Sequence, residues 1–376
     1  MNTDIPDERL LAMASTAGYG ESAAALAEQY ESVSSDEVHR EVLHLFPAQP
    51  STVLDIGAGS GRDAAALAAR GHRLVAAEPT AELRELGERI HAGQDIEWVD
   101  DALPGLPTLT SQGRRFDLIL LTAVWMHLDE QERKAAMATL VSLLGNAGQV
   151  VLSLRHGPVP AGRRMFPVSA QETIELAQRQ GLEVVHLAHR EDPHGRTDVS
   201  WSYLVLRHAP LHHRQADERD LSALVRLRDD AARWHIAQGI DQWKPGELDI
   251  EHFRTRLHDG EVWIAALGPH GPIAGAWELW WDDPAAWGPQ SPNAGYVHRL
   301  MTDRRVAPSG TGRQMLARAE ARIAAAGRQI CRLDCLADNY RLREYYETAD
   351  YNVVREHAKD GGLGRIYAVT LMEKRL

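Results

Sequence analysis

Through the first half of the chain, short apolar runs alternate with stretches of helical spacing. Residues 53–56, 74–77 and 116–121 are near-continuous apolar runs, as strands covered on both faces require. Between the first two, Asp63-Ala64-Ala65-Ala66-Leu67-Ala68 reads as a helix, and so does 169–181. Residues 143–152 read as a turn into a further strand, and 183–188 and 199–206 as a closing hairpin. Strands that alternate with helices predict an α/β domain with a parallel, doubly wound sheet. Upstream, 23–30 and 36–46 place apolar residues at helical spacing, and Pro47 and Pro50 punctuate the exit. His208-Ala209-Pro210-Leu211-His212-His213 breaks the pattern and reads as a junction, so the expected domains are 1–208 and 209–376. Beyond it, a strand (295–301) feeds a glycine loop, and an alanine-rich helix runs on to Gly327. A strand over 332–336 and a helix opening at Asn339 follow.

Composition narrows the function classes. A chain of 376 residues exceeds one ordinary domain, and 44% hydrophobic with 25% charged residues is usual for a globular protein. No stretch has the length of a membrane span, and the N-terminus lacks the basic and apolar regions of a signal peptide. Only Cys331 and Cys335 are present, which fits a reducing cytoplasm. A net charge of −12 argues against a nucleic-acid partner, whose phosphates need clustered Lys and Arg. His208, His212 and His213 have no Cys or carboxylate at ligand spacing, so no metal is expected.

The chemistry of the first half centres on Asp55-Ile56-Gly57-Ala58-Gly59-Ser60-Gly61. Glycines let a ligand approach bare backbone, and Glu78, closing the next apolar run, is placed to hold a ribose. This acid-x-Gly-x-Gly-x-Gly turn resembles the first motif of the class I S-adenosylmethionine-dependent methyltransferases. The resemblance extends over roughly residues 20–207 and implies a Rossmann-like, seven-stranded domain with residues 1–48 as a helical lid. It implies S-adenosylmethionine as cofactor, held by Asp55, Gly57, Gly59, Gly61 and Glu78, with Asp101 at the adenine amine. Ligands in such sheets sit beyond the strands' carboxyl ends. Trp125 and His127 after the fourth strand, and Arg155 and His156 after the fifth, are therefore the expected substrate contacts, with Tyr30 and Tyr19 in the lid. No Asn/Asp-Pro-Pro-aromatic motif follows strand four, which argues against a nucleobase acceptor. His127 is read either as the base that takes a proton from the acceptor or as a wall of the pocket.

In the second half, Arg304-Arg305-Val306-Ala307-Pro308-Ser309-Gly310-Thr311-Gly312-Arg313 resembles the pyrophosphate loop of the GNAT acetyltransferases. Ala307 stands where that family has Gln or Arg, leaving Arg305 or Arg313 to supply the charge. Asn339 and Tyr346 match the family's Asn…Tyr-Glu-x-x-Gly-Phe stretch, with Asp350-Tyr351 in place of Gly-Phe. The resemblance implies acetyl-CoA held by Leu300, Met301, Arg305, Gly310, Thr311, Gly312, Arg313 and Asn339. It also implies Tyr346 as general acid. Trp277-Glu278-Leu279-Trp280-Trp281-Asp282-Asp283 alternates along a strand and ends acidic, as a cationic amine acceptor would require. Glu278 is the candidate base there, and most of the tryptophans read as core.

Together these features predict a cytoplasmic bifunctional transferase that methylates and N-acetylates small amines, amino acids or peptides. Natural-product assembly or self-resistance is the setting such a fusion suggests. The alternatives are one catalytic domain with the other as a cofactor-binding sensor or scaffold, or a modifier of protein or RNA. Sequence leaves the oligomeric state unread.

Overall fold

The apolar runs of the first half become β1 (Thr52–Ile56), β2 (Arg73–Ala77), β3 (Ile96–Val99), β4 (Phe116–Leu121) and β5 (Leu144–His156), joined by β6 (Leu182–Glu191) and β7 (Ser200–His208). The computed structural model describes residues 19–160, 162–193, 195–360 and 366–376. The chain divides into Met1–Ala209 and Pro210–Leu376, one residue beyond the junction read from sequence. In the first unit the strand order is β3-β2-β1-β4-β5-β7-β6. β1 to β5 run parallel, and β7 lies antiparallel between β5 and β6. The order reverses between β1 and β4, which opens a crevice at their carboxyl ends. Buried apolar side chains on both faces account for the continuous runs: Leu54, Ile119 and Leu152 pack on one, Val53, Leu118 and Val151 on the other.

Upstream of β1, α1 (Ala23–Glu31) forms as expected. The continuous helix expected over 36–46 does not: one turn, Ser35–Val38, is followed by a 3-10 turn, Leu43–Leu45. The helix breaks at His39, whose Nε2 lies 3.0 Å from Asp63 Oδ2 in a buried pair. Residues 1–18 of the expected lid lie outside the described residues. α2 (Arg62–Ala68) and α3 (Ala81–Ile90) follow β1 and β2, while α4 (Glu130–Leu143) and α5 (Ala170–Arg179) flank β5.

The second unit is a sheet of order β13-β14-β12-β11-β10-β9-β8. Its strands are β8 (Leu211–Gln215), β9 (Glu261–Leu267), β10 (Ile273–Trp280), β11 (Ala294–Thr302), β12 (Ile330–Leu336), β13 (Asn352–Asp360) and β14 (Ile366–Arg375). Its helices are α6 (Leu221–Ala237), α7 (Ile250–Asp259), α8 (Thr311–Ala325) and α9 (Tyr340–Glu347). Neighbouring strands are antiparallel except β11 and β12. These two pair only from Ala294↔Ile330 to Tyr296↔Arg332 and then part. No helix among the described residues is long and apolar enough to cross a membrane.

Candidate active sites

The turn after β1 needs all three of its glycines. Gly57, Gly59 and Gly61 have φ of 66°, 60° and 84°. A Cβ on Gly57 would lie 2.6 Å from Val124 Cγ2, on Gly59 3.1 Å from the Tyr30 ring, and on Gly61 2.6 Å from Trp98. Glu78, at the end of β2, accepts from the N–H groups of Gly59 and Thr80, both at 2.8 Å, and so ties the turn to the second strand. Burial raises its carboxyl above the ordinary value, while those two donors pull it back.

Asp55 is different. Its side chain is 1% exposed, and neither carboxylate oxygen has a hydrogen-bond partner. Burial, and the neighbouring carboxylates of Asp63 and Glu78, raise it well above the usual range. Burial also acts on Asp63, but His39 and Arg62 hold that carboxyl well below its ordinary value. Two arginine nitrogens at 2.9 Å and the Thr122 hydroxyl at 3.0 Å complete its shell. Nothing in the local sequence marks His39 or Thr122, because both reach Asp63 only through the fold.

A cavity of about 430 Å³ opens over the turn, lined among others by Tyr19, Tyr30, Asp55, Glu78, Asp101, His127 and Arg155. His127 is 8% exposed, with Nδ1 2.8 Å from the Arg164 carbonyl and Nε2 3.1 Å from the Tyr19 hydroxyl. A carbonyl only accepts, so Nδ1 carries the hydrogen and Nε2 is the lone-pair nitrogen that accepts from Tyr19. Burial, with Arg163 and Arg164 nearby, lowers the pKa of the imidazole. Arg163, which the sequence alone leaves open between a contact for an anionic substrate and solvated loop charge, lies 3.7 Å over the Tyr19 ring. Asp101 accepts from the N–H groups of Ala102 at 3.2 Å and Leu109 at 3.0 Å while lining the cavity. Arg155 faces the same space and donates to Pro158 O at 2.9 Å.

Two expected contacts are corrected. Trp125 is fully buried in the core beneath the 3-10 turn Trp125–His127, so it packs the domain and does not wall the cavity. β5 extends to His156, and alternation along a strand turns His156 from the face that carries Arg155. Its Nε2 lies 2.7 Å from Ser202 Oγ, outside the cavity.

In the second unit the focus is the mouth between β11 and β12. Ala276 pairs with Met301 while Glu278 pairs with His298, so β11 carries a bulge at Arg299 and Leu300, with Arg299 at φ 47°. The bulge redirects the backbone of Leu300 and Met301 where the strands part. Gly310, at φ 86°, precedes α8, and its Cβ would meet open space. A Cβ on Gly312 would stand 3.0 Å from the Tyr345 hydroxyl. Gly312 and Arg313 lie in the first turn of α8, where a helix offers its N–H groups no carbonyl. Thr311 is buried and its hydroxyl donates to Pro308 O at 2.7 Å.

Neither arginine expected to replace the missing Gln or Arg is directed at the loop. Arg305 is exposed and pairs with Asp303 and Asp230, both at 2.8 Å. Arg313 donates to Tyr345 O and Thr348 Oγ1, each at 2.9 Å, and clamps α8 to α9. Asn339 caps α9 by accepting from Leu342 N at 3.1 Å. Tyr346 is buried against Cys335, and burial raises its phenol pKa, so the hydroxyl keeps its proton. Glu278 is 1% exposed; Oε2 accepts from Arg299 at 2.6 Å and the Trp280 indole at 3.0 Å, while Oε1 has no partner.

Known proteins resemble each unit separately. A family model described as a methyltransferase domain matches residues 26–187, and one described as the acetyltransferase (GNAT) family matches 226–351. An uncharacterized N-acetyltransferase of Bacillus subtilis is 30% identical over 144 residues, which are 35% of this chain and 76% of that protein. The chain belongs to the GNAT acetyltransferases and carries a methyltransferase domain ahead of that unit. An uncharacterized methyltransferase of Oceanobacillus iheyensis is 28% identical over 171 residues, 44% of this chain and 72% of that one. A solved GNAT-family acetyltransferase from Listeria monocytogenes is 25% identical, covering 44% of this chain and 95% of its own, with a TM-score of 0.37.

The residues present fit the cofactors of both families. In the methyltransferase domain the buried Asp55 borders the cavity over a turn where side chains are excluded, an acid without a close hydrogen-bond partner at the place where a cationic ligand would be held. In the GNAT domain the parted strands, the bulge and the first turn of α8 leave room and backbone donors, with no arginine fork aimed at a pyrophosphate.

Proposed function

We propose that the chain is a bifunctional small-molecule transferase that methylates and N-acetylates small amines, amino acids or peptide-like compounds in the cytoplasm. The observation that supports it best is that each unit brings its own cofactor framework and its own proton-handling group. In the methyltransferase domain Asp55 would pair with the ligand's cationic end, Glu78 would hold the ribose, and Tyr30 would cover the glycine turn and exclude water. S-adenosylmethionine supplies a methyl group activated on a sulfonium, so alignment carries most of the rate. His127, fixed as the Nδ1–H tautomer, receives the acceptor's proton at Nε2, directly or through the Tyr19 hydroxyl.

In the GNAT domain acetyl-CoA supplies the acetyl thioester, with the bulge at Leu300 and Met301 and the start of α8 as its backbone contacts. Tyr346 retains a proton at its hydroxyl and delivers it as general acid. Net charge of −12 favours small molecules over nucleic acids as partners.

A second reading has only methyl transfer catalysed, with the GNAT domain sensing its ligand. One observation favours it: Arg305 and Arg313 are both engaged elsewhere. Titration calorimetry of the whole chain with each cofactor decides between them. Near-stoichiometric binding of both, followed by acetyl transfer that Tyr346→Phe slows without weakening acetyl-CoA binding, supports two working sites. Acetyl-CoA binding without acetyl transfer supports the sensor, and failure to bind acetyl-CoA removes both readings of the GNAT domain and leaves the methyltransferase alone.

A further inference from the structure

The cavity of the methyltransferase domain has two electrostatic halves. Its acidic lining, Asp55, Asp63, Glu78 and Asp101, comes from β1, the start of α2 and the ends of β2 and β3. Among the described residues, the lining from Thr122 onward holds Arg155, Arg163 and Arg196 and no carboxylate. The acidic half suits the cationic end of the cofactor. The basic half, beyond the carboxyl ends of β4 and β5, is where an acceptor would lie.

The three arginines differ in what they have left to give. Arg196 commits its fork to Asp192, with Nε to Oδ2 and Nη2 to Oδ1 both at 2.8 Å. Arg155 donates to Pro158 O. Arg163 has no ion pair or side-chain hydrogen bond to a described residue, and its Nη1 is buried without a partner. Packing positions it instead, 3.7 Å over the Tyr19 ring. A guanidinium resting on an aromatic face keeps its in-plane N–H groups for an acceptor, and that fork matches a carboxylate. A buried donor left without an acceptor is costly, so a ligand that supplies one gains by it.

Tyr19 also ties this cation to the proton-handling group. Its hydroxyl meets His127 Nε2 at 3.1 Å, and the two rings lie edge-on with centroids 5.7 Å apart. One tyrosine thus carries Arg163 on its face and His127 at its hydroxyl end, and all three line the same cavity. Arg163 is also among the charges that act on the imidazole.

We propose that the methyl acceptor carries a carboxylate, bound by Arg163, while its nucleophilic nitrogen or oxygen is presented to the Tyr19 hydroxyl and His127 Nε2. A purely cationic amine would leave Arg163 Nη1 unanswered, in a half of the cavity with no carboxylate to receive it. This rests on the methyltransferase reading of the first unit.

Titration calorimetry of the full chain saturated with S-adenosylhomocysteine tests it without turnover. The probes are the twenty proteinogenic L-amino acids with salicylate, anthranilate and 4-hydroxybenzoate, each set against its primary amide. At least one carboxylate should bind roughly tenfold more tightly than its amide. Arg163→Gln should remove that preference and Arg163→Lys keep part of it, with circular dichroism and S-adenosylhomocysteine affinity unchanged in both. Equal affinity for acid and amide, no carboxylate bound, or a preference that survives Arg163→Gln each overturns the proposal. So does an S-adenosylhomocysteine affinity that falls about tenfold in Arg163→Gln, because the arginine then holds the cofactor's own carboxylate. If S-adenosylhomocysteine does not bind the unsubstituted chain, the methyltransferase reading falls. The same titrations without it then decide the carboxylate preference on their own.

Discussion

The two glycine loops of this chain solve one problem, bringing a charged cofactor against backbone, in opposite ways. In the methyltransferase turn every glycine is held at positive φ against a neighbouring side chain, and a buried carboxylate, Asp55, waits without a partner. In the GNAT loop Gly310 faces open space, and the nearby arginines are already paired with Asp303, Asp230 and the start and end of α9's last turn at Tyr345 and Thr348. The first site is specified by side chains around the glycines; the second relies on backbone donors at a helix start. Substitution should therefore be costly in one loop and cheap in the other.

The largest effect tests that contrast directly. Gly57→Ala puts a Cβ 2.6 Å from Val124 at positive φ, and should destabilise its unit by about 2–4 kcal/mol. S-adenosylmethionine affinity should fall by roughly 100-fold or more, about 2.7 kcal/mol. Gly310→Ala meets no neighbour and should cost only about 1–2 kcal/mol for the left-handed backbone. Thermal unfolding and calorimetry on both variants check the pair. Equal losses would mean that the crowding around the first turn is not what sets it apart.

Second in size is His127→Ala. If Nε2 is the base, methyl transfer should fall by about 10²-fold. Because burial lowers the imidazole pKa, the acid limb of the rate profile should lie below 6.5, with activity rising as pH climbs through it. The variant should lose that limb. A changed KM with an intact limb makes His127 a pocket wall.

Asp55→Asn probes the waiting charge. The carboxyl of Asp55 is raised in the fold, so the stability that its neutral form carries is fully present below the unfolded-state pKa and is lost as pH rises through the folded value. A cationic ligand favours the ionised form. Binding should therefore release a proton and strengthen with rising pH over that window. Calorimetry in two buffers of different ionisation enthalpy reads the proton directly. Asp55→Asn should abolish the release, weaken binding about tenfold and raise the Tm of the ligand-free protein. No analogous proton release is expected for acetyl-CoA, whose loop holds no orphaned acid.

Backbone constraint explains what could be read from sequence. Gly57, Gly59, Gly61 and Gly310 declare themselves because the turns need φ that other residues resist, and the β1 and β4 runs because both sheet faces are covered. Side-chain direction was less legible. Trp125 and His127 share one 3-10 turn yet point into the core and the cavity, and Arg155 and His156 are neighbours on opposite strand faces. Partnerships across the fold were not legible at all. His39 with Asp63 and Arg305 with Asp230 join residues 24 and 75 positions apart, and each redirects a charge whose role the local pattern leaves open.

The smallest effect concerns a departure that looked like a lapse in the second motif. Asp350 occupies the family's glycine position, and its φ is 67°. The motif thus keeps the left-handed turn and changes only the residue that bears it, which Asp tolerates better than most. Tyr351, in the phenylalanine position, is buried, and its hydroxyl donates to Glu320 Oε1 at 2.9 Å and stands 2.9 Å from Cys331 Sγ. The added oxygen therefore has partners on α8 and β12, and that substitution is accommodated too. Asp350→Gly should relieve the backbone cost and stabilise the GNAT unit by about 0.5–1 kcal/mol, with a matching rise in Tm. The same change at Gly310's mirror, Gly310→Asp, should lower Tm by a comparable amount. A stabilising Gly310→Asp would mean that loop gains from an Asp side chain more than its backbone loses.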